Sequence, residues 1–387
     1  MSFVTSTVKN LPASGIRKFF DVAAEMKDII SLGVGEPDFF TPWNVREEAI
    51  YSLEHRRTAY TSNSGHPALR KAISAYMNER FNLTYNEKEQ VIITVGVSEA
   101  IDIALRTVIE PGDEVLVIEP CYVSYRACVI LAGGVPVTVP THAEHNFRVQ
   151  PEDIESRITP RTKAIMLCYP SNPTGAIMEK ADLEKICTVL RKHPNILVIS
   201  DEVYAELTYT NEPHISIATL PDMYNRTLVL NGFSKAFAMT GWRLGFACGP
   251  ADLIAGMIKI HQYVIMCAPT TAQLAGVEAL KNGMDGVQKM RDEYNDRRRL
   301  LVDAFKTMGV DCFEPLGAFY LFPSIKKTGI PSDEFCTRLL MEKRLAVVPG
   351  TAFGECGEGF IRCSYAYSVA ELKEALRRLE EFLQELR

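Results

Sequence analysis

Four stretches of this 387-residue chain bring together residue types that do chemistry. The first is Asn231-Gly232-Phe233-Ser234-Lys235-Ala236-Phe237-Ala238-Met239-Thr240-Gly241-Trp242-Arg243-Leu244-Gly245, which sets one lysine among small, apolar and aromatic neighbours. A lysine alone is most simply a solvated surface charge. In such company its charged form is disfavoured, and a neutral amine can form a Schiff base with a carbonyl. Gly232, Gly241 and Gly245 permit close backbone approach, while Arg243 and Ser234 offer a donor fork and a hydroxyl suited to a phosphate. The second stretch, Leu197-Val198-Ile199-Ser200-Asp201-Glu202-Val203-Tyr204, ends an apolar run in a carboxylate, with a tyrosine three residues on. Asp201 there is either a helix N-cap or an anion that keeps a heterocyclic nitrogen protonated. The third, Tyr169-Pro170-Ser171-Asn172-Pro173-Thr174-Gly175, is a rigid turn in which Asn172 could aim its amide at a ligand's phenolic oxygen. The fourth, Thr94-Val95-Gly96-Val97-Ser98-Glu99-Ala100, reads as a strand–glycine–helix junction whose free backbone N–H groups make an anion site. Tyr122 is a core or rim aromatic, or a platform for a flat ring.

The elements that must hold these groups follow from periodicity. Strand-like runs occur at 91–95, 114–118, 164–168, 197–200, 228–230 and 244–247, with helical spacing between most of them, as at 99–109 and 181–191. That alternation predicts βαβ units, an α/β fold built on a largely parallel sheet with helices on both faces. Such sheets bind ligands outside the carboxyl ends of their strands, where each chemical stretch falls. Together the groups describe a pocket for a flat, phosphorylated, electrophilic heterocycle. The flanks differ. Residues 1–45, with Pro12, Gly15, Gly33, Gly35, Pro37 and Pro42, read as an irregular arm. Residues 46–285 form the large cofactor-binding domain. Residues 286–387 make, with the arm, a smaller α+β domain containing β-like runs at 317–322 and 345–348. Its last helix, 368–387, opens on a Ser368/Glu371 capping box and carries a stripe of Val369, Leu372, Leu376, Leu379, Leu383 and Leu386.

Composition removes whole classes of function. With 42 Lys+Arg against 48 Asp+Glu, the net charge of −6 argues against an electrostatic grip on nucleic acid or an anionic membrane. The ten cysteines include no C-x-x-C pair and no zinc-like spacing, which predicts reduced thiols and no metal site. The N-terminus has neither a basic nor an apolar leader region, and no run approaches 18 apolar residues. A cytoplasmic protein is expected.

The block Ser-Lys-x-Phe-x-x-Thr-Gly-Trp-Arg-x-Gly, with Asn-Pro-Thr-Gly and Asp-Glu-x-Tyr in order and spacing, resembles the class I/II aminotransferases of the aspartate-aminotransferase fold. The likeness runs from about Leu32 to Tyr365. It implies pyridoxal 5′-phosphate as cofactor, held by Lys235 as a Schiff base. Asp201 would pair with the pyridinium nitrogen, Asn172 and Tyr204 would bond the phenolic oxygen, and Tyr122 would stack on the ring. Val97, Ser98, Ser234 and Arg243 would hold the phosphate. Tyr60 matches a tyrosine that reaches the phosphate from the partner subunit, which implies a homodimer with shared active sites. On the substrate side, Gly35 resembles an arm glycine whose backbone touches the substrate, and Arg362 the arginine that clamps the α-carboxylate; Tyr122 and Asn172 border the same space. The implied activity is ping-pong amino transfer from an L-amino acid to a 2-oxo acid. A C–S β-lyase is the alternative; a DNA-binding regulator built on this fold is not expected, since a 45-residue arm and a net-acidic chain do not suit a DNA-binding domain. The segment 263–270 contains no Arg or Lys that could serve a second carboxylate, which lowers strict aspartate specificity in favour of bulky donors.

Overall fold

Strands buried on both faces must carry unbroken apolar runs, and in the computed structural model β2 (Val91–Thr94), β3 (Glu114–Glu119), β7 (Thr227–Gly232) and β8 (Gly245–Cys248) are buried at every residue, as is β6 (Leu197–Asp201) beyond its first. The structure describes residues 3–12, 26 and 28–386. With β4 (Val135–Pro140) and β5 (Thr162–Cys168), these strands form a seven-stranded sheet in the order β2-β8-β7-β6-β5-β3-β4. All neighbours are parallel except β8, which runs against both β2 and β7. Alternate residues divide between the two faces. Val115, Val117, Met166, Ile199 and Leu230 pack with the helix Gly96–Val108, while Leu116, Ile165, Leu167 and Val198 pack with the helix Lys180–Arg191.

The expected runs recur as strands within one or two residues at their ends. Val95 and Leu244 fall outside, Val95 because it is the residue from which the helix Gly96–Val108 starts. Strand β4 was not anticipated. Its Pro136 and Pro140 argue against a central strand, and β4 lies at the sheet edge, where a missing N–H is tolerated.

A second layer is built from both ends of the chain. β1 (Ile30–Ser31) pairs in parallel with β10 (Leu345–Ala346), and β11 (Val348–Pro349), β12 (Ile361–Ser364) and β9 (Tyr320–Leu321) form an antiparallel sheet. The β-like run expected at 317–322 is thus strand only at Tyr320–Leu321, in its second half. The final helix, Val369–Glu385, has the anticipated capping box, with Ser368 accepting from the Glu371 N–H. Leu372, Leu376 and Leu379 of its stripe are buried, Val369 is exposed, and Ala375 and Phe382 complete the inner face. Gly15 and Arg387 lie outside the described residues. One apolar cluster joins the two layers: Tyr204 and Leu207, just past β6, pack with Phe319, Tyr320 and Tyr365.

Candidate active site

The carboxyl ends of the parallel strands open into a cavity of about 500 Å³. β6 ends on Asp201. β5 ends on Cys168, with Asn172 in the turn that follows. β7 ends on Gly232, ahead of a one-turn helix, Phe233–Ala236, that carries Ser234 and Lys235. Because β8 runs antiparallel, with Gly245 opposite both Gly232 and Thr94, Arg243 just before it arrives at this same end. Val97 and Ser98 enter at the start of the helix after β2, and Tyr122 follows β3. Gly35 comes from the arm and Arg362 from β12. Each expected site residue therefore lines the cavity except Tyr60, which is 81% exposed and borders a separate recess with Arg57 and Thr270.

Asp201 is a buried carboxylate held by neutral donors. The Tyr125 hydroxyl donates to Oδ2 at 2.6 Å and the Val203 N–H to Oδ1 at 3.2 Å. Burial pushes its carboxyl up to about 6, against the pull of these two hydrogen bonds. Burial also drives the Tyr125 hydroxyl well above its ordinary range, which keeps it a proton donor. The N-cap alternative for Asp201 has a trace in the Val203 contact, but no helix follows β6. No ion pair among the described residues includes Asp201, so a protonated ring nitrogen would be its first cationic partner.

Lys235 donates from Nζ to the Gly35 carbonyl at 2.6 Å. Burial lowers its amine to about 8, with Glu36 opposing and Arg362 and Arg243 adding to the fall. An amine so placed reaches the neutral, nucleophilic form far more readily than a solvated lysine.

Arg362 is 3% exposed and sandwiched between the rings of Tyr320 and Phe353, at 4.6 and 4.7 Å from the guanidinium carbon. Nη1 donates to Asn172 Oδ1 at 2.8 Å and Nη2 to the Gly33 carbonyl, while Nε has no partner. A buried guanidinium without a carboxylate among the described residues is a receptor for an incoming one. The oxygen of Asn172 thus serves Arg362 and its NH₂ group is left to donate, so the two places expected for it, beside the cofactor and beside the substrate, are compatible. Tyr204 shares its hydroxyl with Tyr320 at 2.8 Å.

At the opposite pole, Arg243 donates to the Thr240 carbonyl at 3.0 Å and lies across Gly96. Gly96 has φ +72°, and a Cβ there would sit 2.6 Å from Arg243 Nη2. Tyr125 and Tyr320, which line the cavity, were not singled out from the sequence. Tyr125 had one available signal, its place one helical turn after Tyr122; Tyr320 had none beyond its β-like run.

The geometry fits pyridoxal 5′-phosphate: an anion pole at Arg243, Ser234 and the helix start, an unpaired carboxylate, a depressed amine, and a separate buried arginine for substrate. Comparison with known proteins agrees. The model of the family "Aminotransferase class I and II" matches residues 27–379. The chain is 53% identical over 382 residues to the Bacillus subtilis protein YugH, covering 99% of this chain and 98% of that one. It is 45% identical over 374 residues to an aspartate aminotransferase of Pyrococcus abyssi, covering 96% of each. The crystal structure of an aromatic aminotransferase from Pyrococcus horikoshii superimposes with a TM-score of 0.91 at 41% identity, covering 96% of this chain and 99% of that one. The chain belongs to the class I and II aminotransferases, and is thereby a pyridoxal 5′-phosphate-dependent transaminase.

Gly96→Ala tests the anion pole. The added methyl would sit 2.6 Å from Arg243 Nη2 and push the guanidinium out of the anion pole, while its left-handed backbone would cost the fold about 1–2 kcal/mol with or without cofactor. The expected result is roughly tenfold weaker cofactor binding by apoprotein, measured by absorbance titration. Unchanged affinity would show that Arg243 is free to move aside.

Proposed function

We propose that the protein transfers the amino group of an L-amino acid to a 2-oxo acid in a ping-pong cycle. Lys235 serves as covalent anchor for the cofactor and as proton carrier. When bound, the pyridoxal ring supplies an electron sink for the bond broken at the substrate α-carbon. The chain's residues do the rest. Arg362, aligned by Asn172 and by the flanking rings of Tyr320 and Phe353, takes the α-carboxylate and turns the α-hydrogen toward Lys235. Lys235 Nζ, as a free amine, would take that proton from the substrate α-carbon and hand it to the adjoining carbon of the bound cofactor. Asp201, held by Tyr125, keeps the ring nitrogen protonated, and Tyr204 and Asn172 donate to the phenolic oxygen. Val97, Ser98, Ser234 and Arg243 hold the phosphate. The single observation that carries the reading is the convergence of Lys235, Asp201 and Arg362 on one cavity.

A homodimer completes the site in this proposal, with the partner lending Tyr60. The exposed apolar side chains Trp43, Ile50, Leu53, Tyr60, Tyr263 and Val264 support a face made for a second copy. No helix of the described residues is long and apolar enough to cross a membrane, and we place the enzyme in the cytoplasm. Among the described residues lining the cavity the cations are Lys235, Arg243 and Arg362, each with a role already. The proposed donors therefore have uncharged, bulky or aromatic side chains.

The test is a screen of twenty amino donors against 2-oxoglutarate and pyruvate. Aromatic and large aliphatic donors are expected to exceed aspartate in kcat/KM. Pyruvate and ammonia released from cysteine conjugates without amino transfer would replace this reading with the β-lyase.

A further inference from the structure

The helix Gly96–Val108 begins with half of a capping box. In the full motif the cap side chain accepts from an N–H in the first turn, while an acidic residue of that turn reaches back to the cap N–H. Here the cap is Val95, which has no acceptor to give. The returning half is present. Glu99 Oε2 accepts from the Val95 N–H at 2.5 Å. The N–H groups of Val97 and Ser98, which a helix start leaves without intrahelical partners, therefore stay open to a ligand, and these residues line the cavity.

Something must stop the Glu99 carboxylate from turning to those N–H groups itself, since an anion in the first turn is drawn to them. That restraint comes from His261. Its Nδ1 lies 2.6 Å from Glu99 Oε1, and its ring is fully buried. His261 is firmly seated, because it belongs to the last turn of the helix Ala251–Val264 and its carbonyl accepts the N–H groups of both Ile265 and Met266 at 2.9 Å. The other ring nitrogen, Nε2, is buried with no hydrogen-bond partner, so Glu99 is the contact that orients the ring.

We propose that Glu99 and His261 are positioning residues for the phosphate-holding helix start: His261 fixes the Glu99 carboxylate, and Glu99 fixes the Val95 N–H, so that Val97 and Ser98 present their donors to phosphate. The inference rests on the phosphate reading of that helix start and extends it to two residues outside the site.

The experiment compares pyridoxal 5′-phosphate with pyridoxal, which lacks the phosphate, as ligands of apoprotein. Glu99→Ala is expected to raise the dissociation constant for pyridoxal 5′-phosphate about tenfold or more, the size of one lost buried hydrogen bond, and to leave that for pyridoxal unchanged. Glu99→Gln should restore binding, since an amide accepts from the Val95 N–H and donates to His261. Glu99→Asp, too short to reach both partners, should behave like the alanine variant and stands in for it if that variant does not fold. Equal weakening of both ligands, or wild-type affinity in Glu99→Asp, would overturn the positioning role. Wild-type apoprotein that binds the two ligands alike would overturn the phosphate reading beneath it.

Discussion

Lys235→Ala is expected to lower transamination by roughly four orders of magnitude or more, beyond the 10²–10⁴ attributable to a positioned base alone, because one amine serves as both nucleophile and proton carrier. The reconstituted variant should bind cofactor without the visible absorbance of a covalent amine linkage. Lys235→Arg should be equally inactive, since it keeps a cation near Gly35 but offers no nucleophile. A folding defect is separable by sign. The amine is lowered from 10.5 to about 8, so the folded state binds this proton less tightly than the unfolded chain. The resulting destabilisation is complete below pH 8 and fades as pH rises to about 10.5. At pH 7 the apo variant should therefore melt no lower than wild type. Normal turnover in Lys235→Ala would remove this residue from the mechanism.

The sheet and most of the site were legible because each depends on chain-local signals. A parallel strand buried on both faces must be apolar throughout, and the residue after it must stand at the ligand-binding end. Asp201, Asn172, Lys235 and Tyr122 were located in that way. Arg243 was found by its place in the Lys235 stretch; what its apolar neighbour Gly245–Cys248 does not encode is the reversal of β8 that brings Arg243 to the same end of the sheet. The unread parts depend on partners far along the chain. Tyr125 acquires its meaning from Asp201, 76 residues away, and Tyr320 from Tyr204, 116 away. Glu99 is one carboxylate among many until His261, 162 residues later, is seen against it. Similarly, Pro136 and Pro140 hid β4 because an edge position is a property of the assembled sheet. Periodicity carries the scaffold and the strand-end groups, whereas the residues that orient them are defined by contacts that only folding creates.

Arg362→Ala should lower kcat/KM by about 10²–10³, the effect of removing one partner from a buried charge pair, with the loss weighted toward substrate binding. The guanidinium is fixed before substrate arrives by Asn172, the Gly33 carbonyl and two aromatic faces. Little ordering is then left for binding, and the planar fork meets a carboxylate through two parallel hydrogen bonds. Lysine cannot reproduce that fork, so Arg362→Lys should fall close to the alanine variant. Cofactor affinity should be nearly unchanged, because the anion pole lies at Arg243 and the helix start. A 2-oxo acid inhibitor should weaken in parallel with the amino donor, since both present the same carboxylate. Equal loss of cofactor and substrate would instead make Arg362 a structural member of the β12 core. The deciding comparison is the apo melting temperature. A buried guanidinium with an unpartnered Nε and no carboxylate among the described residues is a desolvated charge held for a ligand, so its removal should cost the apoprotein no more than the two hydrogen bonds and two ring contacts that hold it.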